Sequence, residues 1–307
     1  MYNQETIAKT GNPITIDEVT FSSHGVHCRA DVYRPVGVGP TPVIVMAHGL
    51  GGTRKMRLPA FAERFAMAGY TCLVFDYRHF GGSEGEPRQL LDVGRQLEDW
   101  KNAILYARGM KNVDSKRIII WGTSFGGGHV LAVAAQDHQL AAVISQCPFT
   151  SGLASSLAIN PFISTKIMIL AIQDKIGAWF GARPIMVPLA APPGKIGLMT
   201  AADAYTGFLT LQSPGLNISN NATARAALDI AFYYPGRRTR KIQAPVLFCV
   251  CESDTVAPAK TTLRYAHQTP NHEIKRYVDG HFDIYIGKAF ERVIHDQLDF
   301  LKRTVPV

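Results

Sequence analysis

The most restrictive feature of this sequence is a rhythm. Apolar runs of strand length, PVIVMAHG (42–49), YTCLVFDYR (70–78), RIIIWG (117–122), LAAVISQCP (140–148) and APVLFCVCESD (244–254), alternate with helical stretches. Each run is apolar almost throughout, which suits a strand buried on both faces. Between them the pattern predicts helices at about 58–68, 88–109, after Ser124, at 258–268 and at 288–303, with a further strand, EIKRYV, at 273–278. Strands that alternate with helices are joined by right-handed crossovers and pair mainly in parallel. The first forty residues differ. ITIDEVTF (14–21) and VHCRADVYRP (26–35) alternate apolar and polar residues, as a half-buried antiparallel pair does. The fold class is therefore α/β.

The rhythm breaks once. Residues 149–240 carry helical patches separated by prolines such as Pro161, Pro184 and Pro188. A segment of that length cannot be a plain loop. The economical reading is a helical cap, 149–240, inserted into one core domain made of 1–148 and 241–307.

Composition excludes several classes. Hydrophobic residues make up 47% of the 307 and charged residues 18%, so neither disorder nor a coiled coil is the main architecture. The net charge is +8, but Lys and Arg are scattered. The densest basic run, Arg237, Arg238, Arg240 and Lys241, reads as a solvated turn, and nucleic acid is not an expected partner. The five cysteines form neither a C-x-x-C pair nor a zinc spacing, so buried free thiols and no metal are expected. Residues 1–13 have no apolar signal core, and the most membrane-like stretch, Phe162 to Ile172, is too short to span and contains Lys166. The expected location is cytoplasmic, with the sequons at Asn217 and Asn221 idle. The sequence leaves the oligomeric state open, a homodimer included.

The chemistry sits at strand ends. Gly122-Thr123-Ser124-Phe125-Gly126 follows an apolar strand and opens a helix, the context in which G-x-S-x-G places a nucleophile on a cramped turn. The alternative is a glycine-rich turn with an incidental serine. A serine hydroxyl needs a base that is itself oriented. His281, in Asp279-Gly280-His281-Phe282 just after EIKRYV, emerges at the same sheet edge. The acid should follow the preceding strand, where Glu252 and Asp254 both stand, and Asp254 at the strand-to-loop transition is preferred. Backbone N–H groups should bind the oxyanion. Phe125 supplies one, and Leu50, with Gly51 next, supplies the other from His48-Gly49-Leu50-Gly51-Gly52. His48 is read as a brace of that loop. Arg54 and Arg78 are candidate contacts for an anionic substrate group, or ordinary surface arginines. From the cap, Phe162, Trp179, Phe180, Tyr205 and Phe208 are the expected lining of an apolar pocket.

With these pieces in place the sequence resembles the α/β-hydrolase superfamily. The matching segments are HGLGG (48–52), FDYRHFGGSEG (75–85), GTSFGGG (122–128), Asp254 and DGHFD (279–283). The resemblance implies a mainly parallel eight-stranded sheet with helices on both faces, the site at the carboxyl ends of the strands, and nucleophile, acid and base roles for Ser124, Asp254 and His281. The N-terminal strand pair and the tyrosine-arginine-glycine loop are similar to the dienelactone-hydrolase-like and X-Pro-dipeptidyl-peptidase-like branches. DGHFDIYIG is similar to thiohydrolases and acyltransferases of fungal polyketide pathways. Serine where dienelactone hydrolases carry cysteine means that their substrate does not transfer, and serine in place of aspartate argues against haloalkane dehalogenation.

The expected function is hydrolysis of a small-molecule carboxylic ester or thioester through an acyl-enzyme, with no cofactor. Acyl transfer by the same residues is the first alternative, and a non-catalytic ligand receptor on a hydrolase scaffold is the second.

Overall fold

A computed structural model of the protein describes residues 13–157, 159–212, 215–216 and 218–307. The N-terminal twelve residues and the Asn217 sequon of the preceding section lie outside the described residues.

Eight strands form one sheet: β1 (Ile14–Ser23), β2 (Val26–Pro35), β3 (Thr41–Ala47), β4 (Thr71–Phe75), β5 (Val113–Thr123), β6 (Ala142–Gln146), β9 (Val246–Cys251) and β10 (His272–Tyr277). Their spatial order is β1-β2-β4-β3-β5-β6-β9-β10. The alternating N-terminal pair forms the antiparallel hairpin, with Ile14 opposite Pro35 and Ser23 opposite Val26. It joins β4 antiparallel, and every pairing from β4 to β10 is parallel. All residues of β3, β4, β6 and β9 are buried, so both faces of the sheet centre are covered. The apolar runs required this.

The helices α1 (Leu58–Met67), α2 (Val93–Arg108), α3 (Phe125–Ala134), α8 (Ala259–Ala266) and α9 (Gly287–Thr304) lie close to the stretches predicted for them. The main boundary shift is at α2, which begins at 93 rather than 88. The Asp92 carboxylate accepts from Arg95 N at 2.9 Å and caps the first turn there. Pro87, just upstream, keeps the preceding backbone out of the helical region.

Between β6 and β9 runs the inserted segment: α4 (Gly152–Ser156), α5 (Pro161–Trp179), β7 (Met186–Pro188), α6 (Ala204–Thr210), β8 (Asn221–Thr223), α7 (Ala226–Ala231) and a 3₁₀ turn at Pro235–Lys241. The purely helical expectation misses the antiparallel ribbon of β7 with β8. Three-residue strands are too short to show a period of two. Buried Asp174 of α5 fastens this region. One oxygen accepts from Ile185 N just before β7, and the other accepts from Arg225 N just before α7. The Arg225 guanidinium closes the pair at 2.7 and 2.9 Å. No helix among the described residues is long and apolar enough to cross a membrane.

Candidate active site

The parallel register sets the site. Ala47 lies opposite Gly122, Thr123 opposite Gln146, and Gln146 opposite Cys249. The loops after β3, β5, β9 and β10 therefore leave at one edge. Chain order reverses between β3 and β5, and a crevice for ligands opens at such a switch point.

Ser124 occupies the turn from β5 to α3 with φ 56° and ψ −118°. A non-glycine residue there costs on the order of 1–3 kcal/mol and needs surroundings that hold it. Three backbone bonds do so. Ser124 N donates to Gln146 O at 2.9 Å, and Ser124 O accepts from Gly128 N at 3.1 Å and Phe149 N at 2.8 Å. The two glycines of the motif are steric necessities. A Cβ on Gly122 would lie 2.2 Å from Gly126 O, and one on Gly126 would lie 2.5 Å from His48 O.

The structure brings the three distant side chains together. His281 Nε2 lies 2.9 Å from Ser124 Oγ, and His281 Nδ1 lies 2.7 Å from Asp254 Oδ2. The other Asp254 oxygen accepts from Val256 N at 2.9 Å and Ala257 N at 2.6 Å, which fixes the plane of the carboxylate. The His281 and Asp254 side chains are almost fully buried. Glu252 takes no part. It turns outward and pairs with Arg276 at 2.8 Å.

Leu50 and Phe125 both line the cavity beside Ser124. As the first residue of α3, Phe125 has an N–H with no acceptor within its own helix. Core and insertion share the remaining wall: Phe149, Ile159, Ile230, Val256 and the Leu198–Ala201 stretch are apolar, while Ser155, Ser156 and Thr255 add hydroxyls. None of the lining side chains is charged. A second recess meets Ser124 from the His281 side, against Met56, Phe208, Leu211 and Phe282.

Most of the expected pocket aromatics are elsewhere, and this corrects the sequence reading. Phe208 lines the second recess, but Phe162, Trp179 and Phe180 are 68%, 75% and 84% exposed on the outer side of the insertion. Tyr205 is also exposed and lines neither cavity. The residues that do line the cavity escaped notice because Leu198–Ala201 lies in an irregular stretch with no periodicity to assign a face. Arg54 and Arg78 are not substrate contacts either. Both are 5% exposed; Arg54 is paired with Asp76, Asp31 and Glu18, and Arg78 with Asp99 and Glu98.

His48 sits at the base of the Leu50 loop, with Nδ1 2.9 Å from Gly49 O and its ring edge against Tyr77. Burial pushes its imidazole below the usual range. Cys147 Sγ, the Asp254 carboxylate and the His281 ring form the one trio of ligand-type atoms found within 4.8 Å of each other among the described residues. Burial holds the Cys147 thiol protonated, pushed up to about 12, and the other two are bonded to each other. That arrangement favours proton handling over cation binding.

Beneath Ser124, His129 of α3 is completely buried. Its Nδ1 lies 2.8 Å from Tyr233 Oη and its Nε2 2.9 Å from Gln96 Oε1, and its ring packs edge-on against Phe125. Burial lowers its pKa from 6.5 to about 3, with the neighbouring His48 adding to the shift. Between those values the unfolded chain binds a proton that the folded chain refuses. Stability present above pH 6.5 is therefore lost as pH falls, at about 1.4 kcal/mol per unit. Between pH 7 and pH 5 the wild type should lose about 2 kcal/mol more than His129→Gln in urea unfolding. Equal losses would show that His129 does not resist protonation.

The chain matches the alpha/beta hydrolase fold family over residues 42–289. It belongs to that family. This α/β hydrolase is 66% identical to the quorum-quenching protein AidA of Acinetobacter baumannii, over 94% of this chain and 95% of that protein. It is 24% identical to the thiohydrolase aneE of Aspergillus aculeatus, over 96% of each chain. Among solved structures it is similar to the alpha/beta hydrolase GrgF from Penicillium sp. sh18, with a TM-score of 0.82 and 27% identity over 95% of this chain and 99% of that one. A curated relative from Penicillium, 29% identical over 85% of this chain and 88% of its own length, is named polyketide transferase grgF.

Proposed function

We propose that this α/β hydrolase cleaves neutral carboxylic esters or thioesters through an acyl-enzyme on Ser124. The observation that carries the reading is the continuous hydrogen-bonded line from Asp254 through His281 to Ser124. Ser124 Oγ attacks the acyl carbon while His281 Nε2 takes its proton. Asp254 holds Nδ1 protonated, so that Nε2 is the accepting nitrogen, and stabilises the imidazolium that forms. The N–H groups of Leu50 and Phe125 receive the oxyanion. His281 then protonates the leaving alcohol or thiol, and water reverses the sequence to release the acid.

The uncharged, largely apolar wall supports a neutral acyl group, because burying a carboxylate there without a partner is costly. In a graded panel of p-nitrophenyl esters and acyl thioesters, adding a terminal carboxylate to the best acyl chain should lower kcat/KM on the order of 10²-fold. Equal turnover of the charged and neutral chains would contradict this specificity. A fluorophosphonate probe should label the wild type and not Ser124→Ala, and equal labelling of both would remove Ser124 as nucleophile. The 66% identity to a protein named for quorum quenching supports destruction of a signal molecule as the outcome.

The relationship to a polyketide transferase favours a second reading, in which an alcohol or amine replaces water as acyl acceptor. Added acceptor should then yield a transfer product. Hydrolysis alone at every acceptor concentration would reject transfer.

A further inference from the structure

The insertion exposes far more apolar surface than its size warrants. It is under a third of the chain, yet it holds thirteen of the eighteen large apolar side chains that are exposed among the described residues. Six of them, Phe162, Ile169, Ile172, Ile176, Trp179 and Phe180, belong to α5 and its last turn. At about 100° per residue they fall on one side of the helix. The opposite side, Ile163, Ile167 and Ala171, is already buried against the rest of the insertion. A helix apolar on both sides is ordinarily covered on both, and nothing among the described residues covers the outer one.

Charge identifies what would cover it. Every exposed charged residue of the insertion among the described residues is basic: Lys166, Lys175, Arg183, Lys195 and the arginines of the Arg237–Arg240 turn. Its acids are withdrawn. Asp174 is buried on Arg225, and Asp203 and Asp229 are half-buried. Lys166 and Lys175 lie on opposite borders of the apolar stripe, and Lys166 Nζ sits 4.6 Å above the Phe162 ring. A second copy of this chain would bring the same cations to a symmetric interface, where like charges repel.

We propose that this face is a docking surface for an anionic lipid bilayer, with α5 lying in the plane of the headgroups and its outer stripe in the acyl boundary. Aromatic and aliphatic side chains enter the boundary region while the flanking lysines meet lipid phosphates. Leu153 of α4, the helix whose Ser155 and Ser156 line the cavity beside Ser124, is exposed as well.

The test is vesicle flotation of the full chain with phosphatidylcholine alone and with phosphatidylcholine containing phosphatidylglycerol. One variant carries Ile169→Gln, Ile172→Gln and Ile176→Gln; another carries Lys166→Glu, Lys175→Glu and Arg183→Glu. The wild type should float with the anionic vesicles and bind neutral ones more weakly, with the anionic preference shrinking as salt rises. Each variant should lose at least about tenfold in vesicle affinity while keeping the wild-type melting curve and turnover of a water-soluble ester. Three results would overturn the proposal: a wild type that stays in solution beside anionic vesicles, folded variants that bind as tightly as wild type, or a lipid-free dimer that the isoleucine substitutions dissociate.

Discussion

Replacing Ser124 with alanine should lower kcat by about 10⁶-fold, leaving a slow residual rate from the oxyanion donors and from binding alone. The substitution removes one oxygen and nothing that holds the turn. The Ser124 N–H and carbonyl keep their bonds to Gln146, Gly128 and Phe149. The φ of 56° is as uncomfortable for alanine as for serine, so stability should change by less than about 1 kcal/mol. Substrate affinity should persist, because the cavity wall is untouched. Steady-state kinetics beside a melting curve decide the matter. A loss of only tenfold would mean that another nucleophile does the work.

Asp254→Asn should cost about 10⁴-fold in kcat, and the local geometry explains why so small a change is so damaging. One carboxylate oxygen accepts from Val256 N and Ala257 N, so the asparagine carbonyl must take that position. The amide NH₂ is then forced into the place 2.7 Å from His281 Nδ1. There it donates, Nδ1 must become the acceptor, and the ring proton moves to Nε2. A protonated Nε2 donates to Ser124 Oγ and cannot take its proton. The fold and KM should stay close to wild type. Imidazole proton resonances in the NMR spectrum should show the tautomer exchange, and an unchanged rate would separate Asp254 from the relay.

The centre of the sheet was legible from the sequence because its strands are buried on both sides, as uninterrupted apolar runs such as VIVMA and VLFCV require. The Ser124, Asp254 and His281 positions were legible for a related reason. Ser124 and Asp254 come after such runs, His281 comes after the half-exposed edge strand β10, and parallel pairing sends all those ends to one edge. The walls of the cavity were not. Helix α5 is apolar around nearly its whole circumference, so periodicity could not tell which side faces inward. Phe162, Trp179 and Phe180, expected in the pocket lining, face outward. The arginines misled for a different reason. Arg54 and Arg78 satisfy buried carboxylates that lie far away in sequence, Asp31 and Asp76 for one and Asp99 for the other, and no local pattern announces such partners.

The division of labour between sheet and insertion has an evolutionary corollary. Ser124, Asp254 and His281 are anchored just past strand ends, whereas much of the wall of the cavity beside Ser124 comes from the chain between β6 and β9. Mutational drift in that tract can retune which molecules are admitted without disturbing the machinery that cuts them. Relatives bearing names as different as quorum quencher, thiohydrolase and polyketide transferase are what such a separable filter would generate.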